Sequence, residues 1–291
     1  MGKRYGEDRL MGKRYLKQIN ILPEASKGIY EEKVRQLADR LAQEGVAVWI
    51  VTDKADVPVR HRAAGTLWLT DSDLTAEKLT AAQLPVIAWL HEENRQSSFE
   101  NIRYAVEEPQ ELDADFYDRI YRRYAGIPWD IAETHRCLIR ETTSEDAEDF
   151  LEIYEEPSIT RYTDSFCTEV HMEREYVKEY IEKVYDFYGY GIWTVVWKET
   201  GEVIGRVGFG QEEVPNLGYM VALPWQGRGI AQEVCRAALA FAGEELGFEQ
   251  VQTVIHKDNL VSIKVAEKLG FKRFTQSMET DSEHIRFILR L

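Results

Sequence analysis

Hydrophobic residues in the first third of the chain follow two periods in turn. A stripe at helical spacing runs from residue 30 to residue 41 and stops before Gly45. The later apolar runs are short and strand-like, at residues 46–51, 67–69, 85–89 and 104–106. A polar helical segment at 75–83 lies between two of them. Such alternation predicts a small, mostly parallel α/β domain, with residues 46–51 as a buried strand.

The second half carries a different order of patterns. Residues 147–154 and 169–187 have helical spacing, and Thr142 or Thr143 is the predicted cap of the first helix. Alternating runs at 192–197 and 203–209 flank Gly201 and predict a hairpin. The predicted order then continues with a strand at 217–221, a glycine-rich segment, a helix, a strand at 251–255, a second helix and two final strands. Gly270 fits the left-handed cap that ends this last helix.

These patterns divide the chain into four parts. The basic segment Met-Gly-Lys-Arg-Tyr occurs at residues 1–5 and again at 11–15, and it lies in a predicted flexible tail over 1–26. A small α/β domain spans 27–112. Helical spacing at 113–124 ends at Gly126 and Pro128, so 113–134 is predicted to be a helical linker. The second domain spans 135–291, and we expect it to fold by itself.

The segment between the 217–221 strand and the next helix has the features of a phosphate-binding loop. A helix that begins directly after a glycine turn presents free backbone N–H groups and the positive end of its dipole. Gly227 and Gly229 lack side chains where a pyrophosphate would approach the backbone. Ala231 keeps the first turn narrow, and Arg228 can add positive charge from the side. An ordinary glycine turn has the same pattern, so this segment alone leaves both interpretations open.

A second motif 30 residues later favours the phosphate-binding interpretation. Asn259-x-x-Ser262 precedes a short helix that ends in Glu267-Lys-Leu-Gly-Phe271. Together with Gln226-x-x-Gly229-x-Ala231, these residues resemble the GCN5-related N-acetyltransferase (GNAT) superfamily over 135–291. The resemblance implies a GNAT fold, with a central mixed sheet that has splayed strands and flanking helices. It also implies an N-acyltransferase that uses acetyl-CoA as co-substrate.

The same resemblance implies where acetyl-CoA binds. The backbone of the strand containing Met220 and Val221 would pair with the pantetheine arm and donate to the thioester carbonyl. The pyrophosphate would bind at the loop residues Gln226, Gly227, Arg228, Gly229, Ile230 and Ala231. Asn259 would hydrogen-bond the pantetheine arm. Asn is also a preferred helix N-cap, and one residue can fill both roles.

Proton transfer is less clearly marked in the sequence. Many relatives have a Tyr where this chain has Ala266, and this departure resembles the branch of ribosomal-protein N-terminal acetyltransferases. In that branch the serine of the Asn-x-x-Ser motif lies near the sulfur. Ser262 is therefore the predicted proton donor to the thiolate, and a plain first-turn serine is the alternative.

The general base has several candidates. Glu212, Glu213 and His256 lie near the ends of predicted central strands, with Glu212 taken as the base and a water relay as the alternative. Tyr219 would orient such a water or line the acceptor pocket. The loop 157–166 between the first two helices of this domain would face the acceptor. Its residues Tyr162 and Phe166 are interpreted as packing residues.

Composition limits the partners. A formal net charge of -15 argues against nucleic acid, because phosphate contacts need clustered Lys and Arg. The acceptor is predicted to be a small-molecule amine or a protein N-terminus, and the oligomeric state is left open. The three cysteines are too few and too scattered for a disulfide framework or a zinc site, so no metal is expected. No apolar run reaches the length of a membrane span, so we expect a cytoplasmic protein without membrane contact.

The role of the first domain is not marked by a motif. Residues 70–87 faintly resemble part of a haloacid dehalogenase-like domain, but the Asp-x-Asp nucleophile motif is missing. We therefore expect no phosphatase chemistry. Asp53 and Asp71, which follow predicted strands, are interpreted as helix caps or turn residues. An alternative function for the whole chain is a non-catalytic acyl-CoA sensor with this domain as its regulatory output.

Overall fold

The chain forms two compact units in a computed structural model. One unit spans Gly12–Trp129 and the other contains Asp130–Leu291. The structure describes residues 14–24, 29–51, 64–162, 169–274 and 283–291. Asp53, Phe166 and Cys167 fall outside these ranges, as does most of the duplicated N-terminal segment.

A parallel sheet lies at the centre of the first unit. Its described strands are β1 (Gln18–Leu22), β2 (Ala47–Ile50), β3 (Thr66–Thr70), β4 (Val86–Trp89) and β5 (Tyr104–Val106). They pair in the order β2-β1-β3-β4-β5, and each described pairing is parallel. The predicted small, mostly parallel α/β domain is confirmed.

Two details of this sheet differ from the sequence prediction. β1 lies between β2 and β3, so the predicted flexible tail is wrong for residues 18–22. Its side chains supply buried apolar surface that a tail would leave in water. β2 is an edge strand with no buried side chain, and Trp49 and Ile50 are 62% and 52% exposed, so the prediction of a buried strand at 46–51 is wrong for β2. An apolar run does not reveal by itself how many neighbours a strand has.

Three helices complete the described part of this unit: α1 (Ile29–Gln43), α2 (Asp73–Ala81) and α3 (Ala114–Tyr124). Tyr117 and Ile120 of α3 pack in one apolar cluster with Leu37 of α1 and Trp89 of β4. The predicted helical linker over 113–134 is therefore wrong: residues 114–124 are part of the first core, and residues 130–133 form a strand of the second unit. The amphipathic stripe of α3 is explained by this burial.

Asp71 does not cap α2, contrary to one of its two predicted roles. Ser72 is the N-cap, and its Oγ accepts a hydrogen bond from Thr75 N. The Asp71 carboxylate instead accepts from the backbone N–H of Glu24 and lies 3.4 Å from His91 Nε2. Asp71 thus connects segments that follow three different strands of the sheet.

The second unit is built on a mixed sheet. Its described strands are β6 (Asp130–Glu133), β7 (Cys137–Arg140), β8 (Ile192–Trp197), β9 (Val203–Gly210), β10 (Asn216–Val221), β11 (Gln250–His256), β12 (Lys272–Arg273) and β13 (His284–Arg290). They lie in the order β12-β13-β11-β10-β9-β8-β7-β6. Every described pairing is antiparallel except that of β10 with β11. The predicted mixed sheet is confirmed.

Helices flank this sheet: α4 (Ala147–Tyr154), α5 (Pro157–Thr160), α6 (Val170–Tyr180), α7 (Asp186–Tyr188), α8 (Ile230–Glu244) and α9 (Leu260–Leu269). Gly270 has φ +96 and ends α9 in the left-handed conformation, as the sequence predicts. No helix in the described ranges combines the length and the apolar character needed to cross a membrane.

A buried ion pair fixes the start of α4. Arg140 of β7 donates to both carboxylate oxygens of Asp146, with each distance 2.7 Å. The same carboxylate accepts from the backbone N–H of Thr143, which completes a capping box before α4. Burial alone would raise the pKa of Asp146, but the hydrogen bonds from Arg140 outweigh it and the pKa is lowered.

The helix after α6 widens into a π-helical turn at Ile181–Tyr185. Tyr180 and Tyr185 are five residues apart, which in a regular α-helix is about 140° around the axis. In the wider turn both hydroxyls reach Ile192 of β8. Tyr180 accepts from the Ile192 N–H, and Tyr185 donates to its carbonyl. The turn therefore fastens the end of α6 to the sheet at β8.

Candidate active site

A gap between β10 and β11 is the central feature of the site. Asn216 and Gln252 are the one described residue pair between these parallel strands. Gln252 N donates to Pro215 O at 2.9 Å, and Thr253 Oγ1 donates to Leu217 O at 3.0 Å. β11 continues to pair with β13 as far as His256, while β10 stays paired with β9. The two strands therefore diverge towards their carboxyl ends.

The pairing with β9 decides which backbone groups of β10 face this gap. Ala222 N donates to Ile204 O, and bonded pairs alternate along an antiparallel ladder. Met220 accordingly bonds to β9, whereas Tyr219 and Val221 turn their N–H groups towards β11. The predicted backbone role in cofactor binding thus fits Val221 but not Met220. The reason is the two-residue period of the strand.

The glycine loop lies at the open end of the gap. Gly227 and Gly229 have φ values of +72 and +76, a region that side chains other than glycine's rarely adopt. A Cβ at Gly227 would meet no atom within 4 Å. α8 begins at Ile230, and no described residue accepts a hydrogen bond from the amides of residues 227–232. The loop therefore offers a run of free donors and a helix N-terminus at one place.

The Gln226 side chain bonds to the end of β10. Its Nε2 donates to Val221 O at 2.9 Å, which ties the loop to the end of β10. Arg228 is exposed, and its guanidinium lies 5.1 Å from the centre of the Trp225 ring. Gln226 thus holds the loop in position, and Arg228 remains available beside it.

Asn259, Ser262 and Tyr219 come together across the gap. Asn259 is the N-cap of α9, and its Oδ1 accepts from Ser262 N at 3.1 Å. The Ser262 side chain lies beside the Tyr219 hydroxyl. Burial raises the pKa of Tyr219 to about 12, and the interaction with Ser262 offsets part of that rise. Tyr219 therefore keeps its proton at neutral pH and can donate a hydrogen bond there.

A cavity of about 260 Å³ lies between β10 and the helices α4 and α6. Thr142 and helix residues from α4 and α6 form one side, and strands β8 to β10 form the other. Its wall includes Tyr154, Tyr176, Val177, Tyr180, Ile192, Arg206 and the three residues Gly218, Tyr219 and Met220. The cavity and the gap therefore share the middle of β10. We call it the β10 cavity.

Residues 136–272 match the family model described as "Acetyltransferase (GNAT) domain". The match covers the diverging strands, the glycine loop and the Asn259 cap. Residues 136–272 are a GNAT acetyltransferase domain.

Known proteins resemble parts of this chain. The uncharacterized protein YkkB of Bacillus subtilis (strain 168) is 38% identical over 88 residues, which are 28% of this chain and 51% of YkkB. The chain thus spans about half the length of this relative. The uncharacterized N-acetyltransferase YoaA of the same organism is 27% identical over 49% of this chain and 83% of YoaA. The crystal structure of ribosomal-protein-S5-alanine acetyltransferase from Vibrio fischeri has 15% identity and a TM-score of 0.49, covering 55% of this chain and 95% of that one.

Two of the three candidate bases, Glu212 and Glu213, lie away from the open end of the gap, whereas His256 lies beside the Asn259 cap, and its carbonyl accepts from Asn259 N at 2.9 Å. Glu212 and Glu213 are exposed in the segment before β10, beyond the closed end of the gap. His256 lies at the end of β11, where its ring is 5.2 Å from that of Tyr162 and 5.3 Å from that of His284. Tyr162 therefore packs as predicted. No described carboxylate lines the β10 cavity.

Sequence reasoning missed Arg136, which lies beside the glycine loop. Its Nη1 donates to Arg228 O at 3.0 Å, and its Nη2 lies 2.6 Å from Glu233 Oε2 in the first turn of α8. A Cβ on Gly229 would come to 4.0 Å from Nη2. The arginine precedes a strand about 90 residues before the loop, so no local motif joins the two.

The cysteines are placed as core residues. Cys137 and Cys235 are both buried, with Cys235 on the inner face of α8. Burial raises the pKa of the Cys137 thiol to about 11 and also raises that of Cys235. Within the described ranges, no group of three or more His, Cys, Asp or Glu residues could hold a metal ion.

Proposed function

We propose that the GNAT domain transfers an acetyl group from acetyl-CoA to a primary amine by direct attack. The observation that carries this proposal is the divergence of β10 from β11, with free loop amides at its open end. A pantetheine chain is long and amide-bearing, and an unpaired strand edge offers it matching donors and acceptors. The pyrophosphate binds the amides of residues 227–232 and the N-terminus of α8.

The acyl group lies at the middle of β10 in this arrangement. The N–H of Tyr219 or Val221 donates to the thioester oxygen, which gains negative charge as the amine attacks. The nitrogen forms a bond to the carbonyl carbon, and the carbon–sulfur bond then breaks. The amine enters from the β10 cavity, because its wall includes Gly218, Tyr219 and Met220.

Two proton transfers accompany this reaction. The leaving thiolate takes a proton from Ser262, whose hydroxyl lies beside Tyr219. Tyr219 holds its proton up to about pH 12 and can restore the one that Ser262 gives. A water in the β10 cavity, whose wall includes Tyr219, accepts the proton of the amine. This relay is favoured over Glu212 because Glu212 is exposed beyond the closed end of the gap.

A turnover assay on the full chain tests the proposal. Thiol release from acetyl-CoA is followed with a panel of small primary amines, and acetyl-CoA binding is measured separately by calorimetry. Amine-dependent thiol release with formation of the acetamide is the expected result. Binding without turnover on any amine would favour the acyl-CoA sensor instead. If neither binding nor turnover is observed, the proposed acetyl-CoA site is refuted.

A further inference from the structure

The wall of the β10 cavity holds one charged side chain among its described residues, the guanidinium of Arg206 on β9. The rest of the wall is largely aromatic or aliphatic, with the rings of Tyr154, Tyr176 and Tyr180 on the helix side. Arg206 is 14% exposed, so it is mostly removed from water. A charge in such a wall needs partners, and each of them can be identified.

Arg206 has five N–H groups and few protein acceptors. Nη1 donates to the Tyr154 hydroxyl at 2.6 Å, and Nη2 donates to Glu173 Oε1 at 2.9 Å. Nε is buried and has no acceptor among the described residues. Each terminal nitrogen carries two N–H groups and has one acceptor among the described residues, so the guanidinium has donors left for a ligand at Nη1 and Nη2.

The guanidinium is held in one position. Its central carbon lies 3.5 Å from the centre of the Phe150 ring, and Glu173, on α6, is 2% exposed. A rigid cation can bind a ligand without first losing conformational freedom.

A buried ion pair such as Arg206–Glu173 is weak evidence of stabilisation. Replacing a buried ion pair with apolar side chains of similar size is often neutral or stabilising. In small-molecule sites, by contrast, a few fixed polar groups within an apolar wall orient the ligand. The Arg206–Glu173 pair has the features of such an orienting group.

Arg206 is also close to the proposed reaction centre. It lies directly opposite Met220 in the pairing of β9 with β10, one residue from Tyr219. An anionic group bound by Arg206 would therefore lie a short distance from an amine that attacks at the middle of β10. An α-amino acid has this spacing, since its carboxylate and amine share one carbon.

We infer that the acceptor is a free α-amino acid with an aromatic or large aliphatic side chain, whose carboxylate binds Arg206. This inference rests on the proposed acyl transfer to an amine. The cavity of about 260 Å³ is just below the usual range for small-molecule sites, about 300–1,000 Å³, and fits one amino acid better than a longer peptide. Tyr154, Tyr176 and Tyr180 would surround the side chain.

The test compares each amino acid with the amine that lacks only its carboxylate. Full-length protein and acetyl-CoA are assayed with phenylalanine and phenethylamine, tyrosine and tyramine, and leucine and isoamylamine. We expect kcat/KM to be at least about 100-fold higher for at least one amino acid than for its matched amine. In Arg206→Gln that preference should disappear through a raised KM for the amino acid, with the amine little changed. Arg206→Lys should restore part of it.

Arg206→Gln leaves the Glu173 carboxylate buried without its partner, so the double variant Arg206→Gln/Glu173→Gln is measured beside it. Thermal melting shows that each variant is folded. Equal rates for amino acids and matched amines in the unmodified protein would overturn the inference and leave the proposed acyl transfer standing. An equal loss on both substrates in the folded double variant would also overturn it.

If no amine is acylated, the proposed function fails, and calorimetry with the same amino acids still decides the inference. Binding of an amino acid that the double variant loses would support the carboxylate site. No binding of any of them to the unmodified protein would exclude it.

Discussion

Replacing Gly229 with Glu places a carboxylate at the loop that is proposed to hold the pyrophosphate. A Cβ at this position has no atom closer than Arg136 Nη2 at 4.0 Å, so the side chain can enter without displacing backbone. The φ of +76 makes any larger residue strained, by about 1–2 kcal/mol. Gly229→Gln carries the same strain and nearly the same size, and it therefore isolates the charge.

The electrostatic effect can be estimated from Coulomb's law. At about 5 Å, each phosphate charge repels a carboxylate by about 1 kcal/mol in a water-like medium and by about 3 kcal/mol at an effective dielectric of about 20. The lower value, applied to two phosphates, gives about 2 kcal/mol, or about a 30-fold weaker Kd. Arg136 lowers this repulsion only in part, because Glu233 already pairs with it.

Calorimetry with acetyl-CoA measures the difference between the two variants. Gly229→Glu should bind at least about 30-fold more weakly than Gly229→Gln at low salt. The difference in affinity between the two variants should become smaller at 1 M salt, where the screening length is about 3 Å. Equal affinities for the Glu and Gln variants at low salt would refute the placement of the pyrophosphate at this loop.

Three further outcomes are expected. Ser262→Ala should lower kcat by about 10-fold or more with the Kd for acetyl-CoA little changed, and an unchanged kcat in single-turnover assays would leave Ser262 as a first-turn helix residue. Cys137 and Cys235 should resist iodoacetamide at pH 8 in the folded protein and react once it is unfolded, as mapped by mass spectrometry. Because the pKa of Cys137 is raised from 9.0 to about 11, its contribution to stability is complete below pH 9 and is lost as pH rises towards 11. A fragment of residues 130–291 should fold and bind acetyl-CoA, and a folded fragment that fails to bind would show that the first unit completes the site.

Local patterns determined most of the helices and strands. The stripes of α1, α4 and α8 follow from the 3.6-residue period, and the ends of α9 follow from the capping preferences of Asn259 and Gly270. The glycine loop was also visible in the sequence, because positive φ at Gly227 and Gly229 is a local property of the backbone. These features depend on residues close together in the chain, so the sequence contains them directly.

Other elements depended on neighbours that are distant in sequence. β1 is a short strand whose place in the interior of a sheet comes from pairing with β2 and β3. α3 has the same amphipathic pattern whether it joins two domains or packs in a core, and only its contacts with α1 and β4 decide the matter. The exposure of Trp49 likewise follows from the edge position of β2.

The residues of the candidate site also fall into two groups, those that the sequence indicated and those that only the fold brings together. The sequence indicated Ser262, Tyr219 and the loop amides, because they belong to motifs or to the strand that precedes one. The backbone direction of Met220 was decided by the pairing of β10 with β9. Arg136, Arg206 and Glu173 were not indicated at all. They come from a strand margin, another strand and a helix, and their charges meet their partners only when the folded sheet and helices bring them within hydrogen-bonding distance.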